Sequence, residues 1–273
     1  AMWRTLVISL LCVFLLVSGL YGSGENSHVQ LDIVGGNATS IWLHPYQVSV
    51  WSGRGYRGSG AFLSQKWIIT TASVVAGFEA LSLSVRCHSS SAVSGGQQYQ
   101  VSSMVIHPRF SFNTMLHDVA LLLLWRDDIL RPVRYVKLAR YPLPENTTAL
   151  LTGWGSTSNR TKMSDILQEI WERTLPLSFC QEVYNQSFRI SYSQFCSQAI
   201  NAYGPCWGDT GDLLMVNNTL YGLLSWNGGC FFKAAPSIFT QISSVRHWIF
   251  QVMKNYHPRQ NSPDPLTLPT TSD

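Results

Sequence analysis

The chain has 273 residues, a formal net charge of +4, and only 12% charged residues. A chain of this length can bury one sizeable core, and its apolar content excludes a disordered protein. No nucleic-acid motif is present, and the densest basic stretch (Arg126, Arg131, Arg134, Lys137, Arg140) is interrupted by Asp127 and Asp128, so it reads as a solvated face rather than a polyanion site.

Residues 1–24 read as a secretory signal peptide. Arg4 is the basic flank, Leu6 to Leu20 is the apolar run, and Gly19, Gly22, Ser23 and Gly24 are small residues suited to cleavage. The run is short of the roughly 20 residues a membrane span needs; the alternative for the same segment is a signal anchor. A propeptide-like segment, 25–32, follows. Short strand-like runs then recur between Gly, Asn, Ser and Pro: Tyr46 to Trp51, Ala61 to Thr70, Leu81 to Cys87, Gln98 to His107 and Val119 to Trp125. Later runs are Thr148 to Gly153, Ile166 to Leu175, Leu213 to Val216, Leu220 to Trp226 and Ser237 to Gln241. Their period of two indicates strands and hairpins.

A helical pattern of ten or more residues appears only over Ser243 to Asn255, where Val245, Trp248, Ile249 and Val252 share one face and Ser243 or Ser244 is the expected cap. Many strands followed by one helix predict an all-β fold of closed barrels. The stretch 257–273 is rich in proline and reads as a disordered tail. Secretion implies an oxidising compartment. Cys12 falls in the leader, leaving Cys87, Cys180, Cys196, Cys206 and Cys230, an odd number. The sequons at Asn37, Asn146, Asn159, Asn185 and Asn217 predict a glycoprotein with these positions at its surface. Nothing points to a metal or a cofactor.

A series of ordered motifs carries a family resemblance: Ile33-Val34-Gly35-Gly36, His44-Pro45-Tyr46-Gln47-Val48-Ser49, Trp67-Ile68-Ile69-Thr70-Thr71-Ala72, and His117-Asp118-Val119-Ala120-Leu121-Leu122. Leu151-Thr152-Gly153-Trp154-Gly155, Cys206-Trp207-Gly208-Asp209-Thr210-Gly211, Gly222-Leu223-Leu224-Ser225-Trp226, Pro236-Ser237-Ile238-Phe239-Thr240 and His247-Trp248-Ile249 complete it. From Ile33 to about Tyr256 the chain resembles the chymotrypsin-like (trypsin-type) serine proteases. The resemblance implies two six-stranded antiparallel β-barrels, about 33–145 and 146–242, with the cleft between them and a terminal helix over 243–256. It implies disulfides Cys180–Cys196 and Cys206–Cys230. Cys87 has no family partner and reads either as a buried thiol in a strand or as a bridge to another chain.

Where the chain departs from the family, it departs at the chemistry. Ser73 stands at the general-base histidine, Thr210 at the nucleophilic serine, and Asp118 at the orienting aspartate. A hydroxyl needs an adjacent imidazole to lose its proton near neutrality, and Ser73 cannot serve as a base. The Thr210 methyl restricts its rotamer. None of the seven histidines aligns with the cleft: His117 is expected to point away from it within a strand, His107 to sit in a surface turn, and His44 and His247 to be surface or structural. The oxyanion-hole positions are Gly208 and Thr210, with Asp212 and Leu213 replacing a family glycine and proline; a carboxylate there would oppose developing negative charge.

In the family a freed amino terminus, here Ile33, pairs with the buried aspartate, here Asp209. No Lys or Arg lies between Arg4 and Arg54 to direct cleavage before Ile33, so an uncleaved terminus is expected. In the specificity pocket Gly204 replaces the basal aspartate of trypsin-like members, and Asn227 and Ser237 replace wall glycines, which should narrow the slot. Two family cysteine pairs are absent whole, at Gly58 with Val74 and at Ala149 with Val216. The resulting expectation is a secreted, catalytically inactive homologue acting on an unidentified protein partner. The alternatives are an unconventional endopeptidase using Thr210 and a glycoprotein that binds glycosaminoglycan or microbial surfaces.

Overall fold

The computed structural model describes residues 36–125, 133–156, 163–185, 189–200, 204–205, 208–228 and 235–256. The expected signal peptide, propeptide and tail lie outside them, as do Ile33, Asn159, Cys206, Cys230, Arg126 and Arg131.

The chain enters with β1 (Asn37–Ala38). Then come β2 (Gln47–Ser52), β3 (Gly55–Phe62), β4 (Trp67–Thr70), a four-residue helix α1 (Ala72–Val75), β5 (Leu83–Cys87), β6 (Gln97–Ile106) and β7 (Ala120–Leu124). These six strands after β1 close a barrel in the order β2-β3-β4-β7-β6-β5. Next are β8 (Lys137–Leu138), β9 (Thr148–Gly153), β10 (Gln168–Thr174), helix α2 (Leu177–Tyr184), β11 (Gln194–Ala199), β12 (Leu213–Val216), β13 (Thr219–Trp226), β14 (Ser237–Gln241) and helix α3 (Ile242–Asn255). Strands β10-β11-β14-β13-β12-β9 form the second ring, closed by the β9–β10 pairing. Short β1 adds antiparallel to β10, and β8 runs parallel to β13.

The strand period explains why β4 and β7 are buried throughout and apolar but for Thr70. Successive residues face opposite sides, and in these strands both sides are buried. Ile68 and its register partner Leu122 fill the first barrel with Val48, Val50, Phe62, Leu83 and Val85. Ile69 and its partner Leu121 face the other way, into a seam shared with Leu213 and Leu223 of the second barrel and Ile242, Val245 and Ile249 of α3. The second barrel has its own interior: Leu151, Ile170, Phe195, Leu214, Leu224 and Phe239. Each fully buried side chain of this size contributes about 1.5–3 kcal/mol.

Several expectations need correcting. The run from Ala61 to Thr70 is two strands, the end of β3 and β4, joined by a turn. Strand β11 lacks an alternating apolar signal, as its sequence is QFCSQA. Neither Ser243 nor Ser244 caps α3: its N-cap is Gln241, and the Ser244 hydroxyl donates back to the Gln241 carbonyl at 2.6 Å. His117 is not in a strand; its φ is +53°, and β7 begins three residues later. The four described sequon asparagines, Asn37, Asn146, Asn185 and Asn217, are all exposed. All four belong to the second half of the fold: β1 on β10, the turn before β9, the end of α2, and the β12–β13 turn.

Candidate functional site

Asp118 is buried directly before β7 at the seam of the barrels. The short helix α1 turns its first residues onto it. The Ser73 amide donates to Oδ1 at 2.7 Å, and the Ser73 hydroxyl donates to Oδ2 at 2.8 Å. From β13 the Ser225 hydroxyl donates to the same Oδ2 at 2.6 Å. Burial pushes the Asp118 carboxyl up to about 6, against the hydrogen bonds from Ser225 and Ser73 that favour its charge. The carboxylate is thus occupied by two hydroxyls and a backbone amide, and the Thr71 hydroxyl lies 3.3 Å from that of Ser73.

Thr210 sits across the seam in a tight turn between Gly208 and Gly211, whose φ values are +91° and +88° and suit glycine. The turn is pinned from three sides. The Ser59 amide donates to the Thr210 carbonyl at 3.1 Å, Gly211 donates to Leu224 at 2.8 Å, and Leu224 donates to the Asp212 carbonyl at 2.9 Å. A β-carbon on Gly211 would strike the Ser59 backbone.

Among the described residues no histidine ring is hydrogen-bonded to the Thr210 hydroxyl. His44 is buried and bonds Glu169 and the Tyr46 hydroxyl, each at 3.2 Å. His88 lies beside the Cys87 sulfur at 3.2 Å. His107 and His117 stack with ring centres 4.7 Å apart, and Trp248 packs against His107. His107 is therefore buried, not at the surface as its turn sequence suggested. His247 is exposed on α3, while His28 and His257 lie outside the described residues.

The Asp212 carboxylate does not face the groove. It is fully buried and lies over the Cα of Gly153, just as the Asp209 carboxylate lies over Gly155; a β-carbon at either glycine would overlap the acid. Ser59 and Asp209 stand against Asp212, and burial first, then the Asp209 charge, raises its carboxyl well above the usual range. A third buried acid, Glu172, accepts from the Ser197 hydroxyl at 2.8 Å. Burial and then the charge of Asp209 push it up to about 7. Glu172 was not singled out in the sequence. A strand reading QEIWERT gives no sign that Gln168, Ile170 and Glu172 turn inward while Trp171 is half exposed.

At the positions expected to form the specificity pocket, the Asn227 side-chain amide donates to the Pro205 carbonyl at 3.0 Å, next to Gly204. Ser237 is buried in β14. The Ala235 side chain lies against Gly228. Tyr184 of α2 donates to the Pro236 carbonyl at 2.6 Å and packs edge-on to Trp226. The disulfide Cys180–Cys196 ties α2 to β11; the expected Cys206–Cys230 bridge lies outside the described residues. Cys87 is a free thiol, 2% exposed in β5, and burial pushes it up to about 12. A bridge from it to another chain would require the strand to open. Among the described residues no group of three His, Cys, Asp or Glu could hold a metal ion, and no helix is long and apolar enough to cross a membrane.

On the first barrel, the β2–β3 turn and the segment after α1 line an open pocket of about 460 Å³, with Ser52, Gly53, Arg54, Gly77, Phe78 and Glu79 on its walls. The Arg57 guanidinium stacks over Phe78, 4.6 Å from the ring centre.

The Trypsin family model matches residues 33–249. The chain is 29% identical over 255 residues to a trypsin from Sarcophaga bullata, covering 91% of this chain and 99% of that one. It is 31% identical to trypsin theta from Drosophila melanogaster, covering 80% of this chain and 84% of the relative. Among solved structures, the scabies mite inactivated protease paralogue S-D1 superposes with a TM-score of 0.76 at 24% identity, over 83% of this chain and all of that one. Neuropsin, a serine protease of mouse brain, superposes with a TM-score of 0.71 at 23% identity, over 80% of this chain and 99% of neuropsin. The chain belongs to the trypsin family.

Proposed function

We propose that this protein is a secreted, catalytically inactive trypsin-family glycoprotein that works by binding a protein partner. One observation carries the reading: the Ser73 hydroxyl donates to Asp118 at 2.8 Å, where a general base would have to stand. A serine hydroxyl neither accepts a proton near neutrality nor reaches Thr210 as an imidazole would. Removing either the base or the nucleophile alone costs a protease of this chemistry about a million-fold in turnover, and both are replaced here. The Asn227 to Pro205 bond, which ties two walls of the specificity slot together, supports the same reading.

The binding face we favour is the first barrel around the Arg54–Phe78 cavity, because the four described sequons all lie on the second half. Glycans there would leave the first barrel bare. The test is an active-site-directed fluorophosphonate probe applied to folded, glycosylated protein, with affinity capture from the same preparation. No labelling at Thr210, together with capture of a partner that is lost on Arg54→Glu, is the expected result. Labelling at Thr210 would overturn it in favour of an unconventional hydrolase.

A second reading rests on charge. The described first barrel, 36–125, carries Arg54, Arg57, Lys66, Arg86 and Arg109 against Glu79 and the buried Asp118. Retention on heparin at physiological salt would favour an anionic polysaccharide as the ligand, and flow-through would remove it.

A further inference from the structure

We propose that an N-linked glycan on Asn37 lays its first N-acetylglucosamine against the indole of Trp171 and so fastens the entering strand β1 to β10. This placement rests on the chain being a glycoprotein and is independent of whether it turns over a substrate.

Register fixes the geometry. Strand β1 is two residues long, both exposed, and pairs antiparallel with β10, Asn37 opposite Glu169 and Ala38 opposite Gln168. Directly opposed residues of an antiparallel pair present their side chains on one face, and so do residues two further along the partner strand. Along β10, Gln168, Ile170, Glu172 and Thr174 are buried, Glu169 is half-buried, and Trp171 and Arg173 are exposed. Asn37 therefore shares the outer face with Glu169 and Trp171. Such a diagonal spans roughly 7–8 Å between the strands, a gap that the amide linkage and one pyranose ring bridge.

Both side chains are available. Trp171 is 51% exposed, and among the described residues no hydrogen bond, ring or cation engages its indole. The Asn37 amide is likewise exposed and without a side-chain hydrogen bond among the described residues. Glu169, directly opposite Asn37, is taken up by His44 at 3.2 Å. The indole rises between two apolar neighbours: Leu150, its register partner on β9, and Ile200, whose amide donates to the Trp171 carbonyl at 2.9 Å. One face of an N-acetylglucosamine ring carries axial C–H bonds and is apolar. That face packs on an indole plane while the hydroxyls at the ring edge stay in water, and tryptophan suits such a half-wet position.

The other described sequons are built differently. Asn146 and Asn217 stand in turns at φ values of +57° and +48°, and Asn185 closes α2. None of the three lies in a strand whose register sets an exposed aromatic beside it. A two-residue edge strand has a short ladder to hold it, and the sugar–indole contact adds a second attachment on the same face. A partner approaching this side of the second barrel then meets sugar rather than an open indole.

The test uses the full-length secreted protein carrying oligomannose glycans. Mass spectrometry of the Asn37 peptide reports occupancy; an unoccupied Asn37 overturns the proposal together with the glycoprotein reading at this position. With Asn37 occupied, hydroxyl-radical oxidation of Trp171 is compared in intact protein, in protein trimmed by endoglycosidase H to the single first sugar, and in Asn37→Gln. The intact and trimmed forms should be equally protected, and Asn37→Gln should oxidise severalfold faster. Equal oxidation in all three overturns the proposal and leaves the glycoprotein reading standing; protection lost on trimming assigns the cover to outer sugars and overturns it too. If Asn37→Gln fails to fold, complete enzymatic deglycosylation of the folded wild type takes its place, with the same outcomes. The fastening is read from exchange of the Thr39 amide, which donates to the Leu167 carbonyl at 2.8 Å. Exchange should quicken severalfold in Asn37→Gln and in Trp171→Ala, and no further in the double variant. Unchanged exchange in the single variants, or gains that multiply in the double, overturns the proposal.

Discussion

A methyl of Val74 lies 2.6 Å from where a β-carbon of Gly58 would be. The family resemblance implies a cysteine pair at these two positions, and here the valine methyl occupies the space beside the glycine. Ala149 and Val216 each lie one residue beyond the β9–β12 register pair Leu150–Met215, and both pack in the second core. At both places apolar packing stands where the family resemblance implies a bridge.

Packing of this kind makes the two residues energetically dependent. Val74→Ala should cost about 1–3 kcal/mol through the void it leaves. Gly58→Ala should cost a similar amount by crowding both the Val74 methyl and the Thr210 carbonyl. The double variant should cost less than the sum by about 1 kcal/mol, because the new methyl enters the vacated space. Urea unfolding of the four proteins measures this, and strict additivity would refute it.

Stability should depend on pH in two opposed ways. Glu172, pushed up to about 7, binds its proton more tightly when folded than its ordinary value of 4.5 allows. Its contribution is therefore complete below about pH 4.5 and is lost as pH climbs through about 7. Asp118, at about 6, acts in the same direction. His107 is held down to about 4 by burial, then by the His117 and Arg109 charges, and so contributes above about pH 6.5 and loses as pH falls toward 4. Glu172→Gln should remove on the order of 3 kcal/mol of the alkaline loss, and His107→Gln should flatten the acid limb. Thermal midpoints taken across pH check both, and a Glu172→Gln curve parallel to wild type would count against the buried acid.

Much of the fold was legible because burial on both faces leaves an unbroken apolar run, as in Ala120–Leu124, and because a strict period of two marks Leu83–Cys87. The positions of Ser73, Asp118 and Thr210 were legible through the motifs around them. Their bonding was not. Spacing cannot say that Ser73 turns back onto Asp118, nor that Asp212 turns inward over Gly153. The first depends on α1 meeting Asp118 across the fold, and the second on Gly153, far along the chain, leaving room; both are tertiary properties that no local pattern encodes. The inward Glu172 and outward Trp171 reverse the usual polarity of a strand for the same reason: Ser197, on the neighbouring strand, supplies the acid's hydrogen bond.

Cys87 should be chemically silent. It is the free thiol among the described cysteines, and the reactive species is the thiolate, which both burial and the raised titration point suppress. A thiol reagent should find one fewer thiol in native than in denatured protein, and the difference should vanish in Cys87→Ala. A disulfide-linked dimer on non-reducing gels that disappears in that variant would show that the strand opens.

Restoring the chemistry should proceed in separable steps. Ser73→His alone supplies a base but leaves the hindered Thr210, so probe labelling should remain at background. Ser73→His with Thr210→Ser places an imidazole between Asp118 and a serine. Ser225 is already positioned at Asp118 Oδ2, and the turn's backbone is already pinned by Ser59 and Leu224. This pair should gain fluorophosphonate labelling by at least about a hundredfold, the ordinary scale of a positioned base. Peptide cleavage should still be poor, because Asn227, bonded to the Pro205 carbonyl at 3.0 Å, is expected to narrow the slot a side chain would enter. Adding Asn227→Gly should then raise peptide turnover without changing the labelling rate. If the double variant cleaves peptides as well as the triple, Asn227 does not close the slot; if none of the three is labelled, the obstacle lies in the 208–212 turn itself.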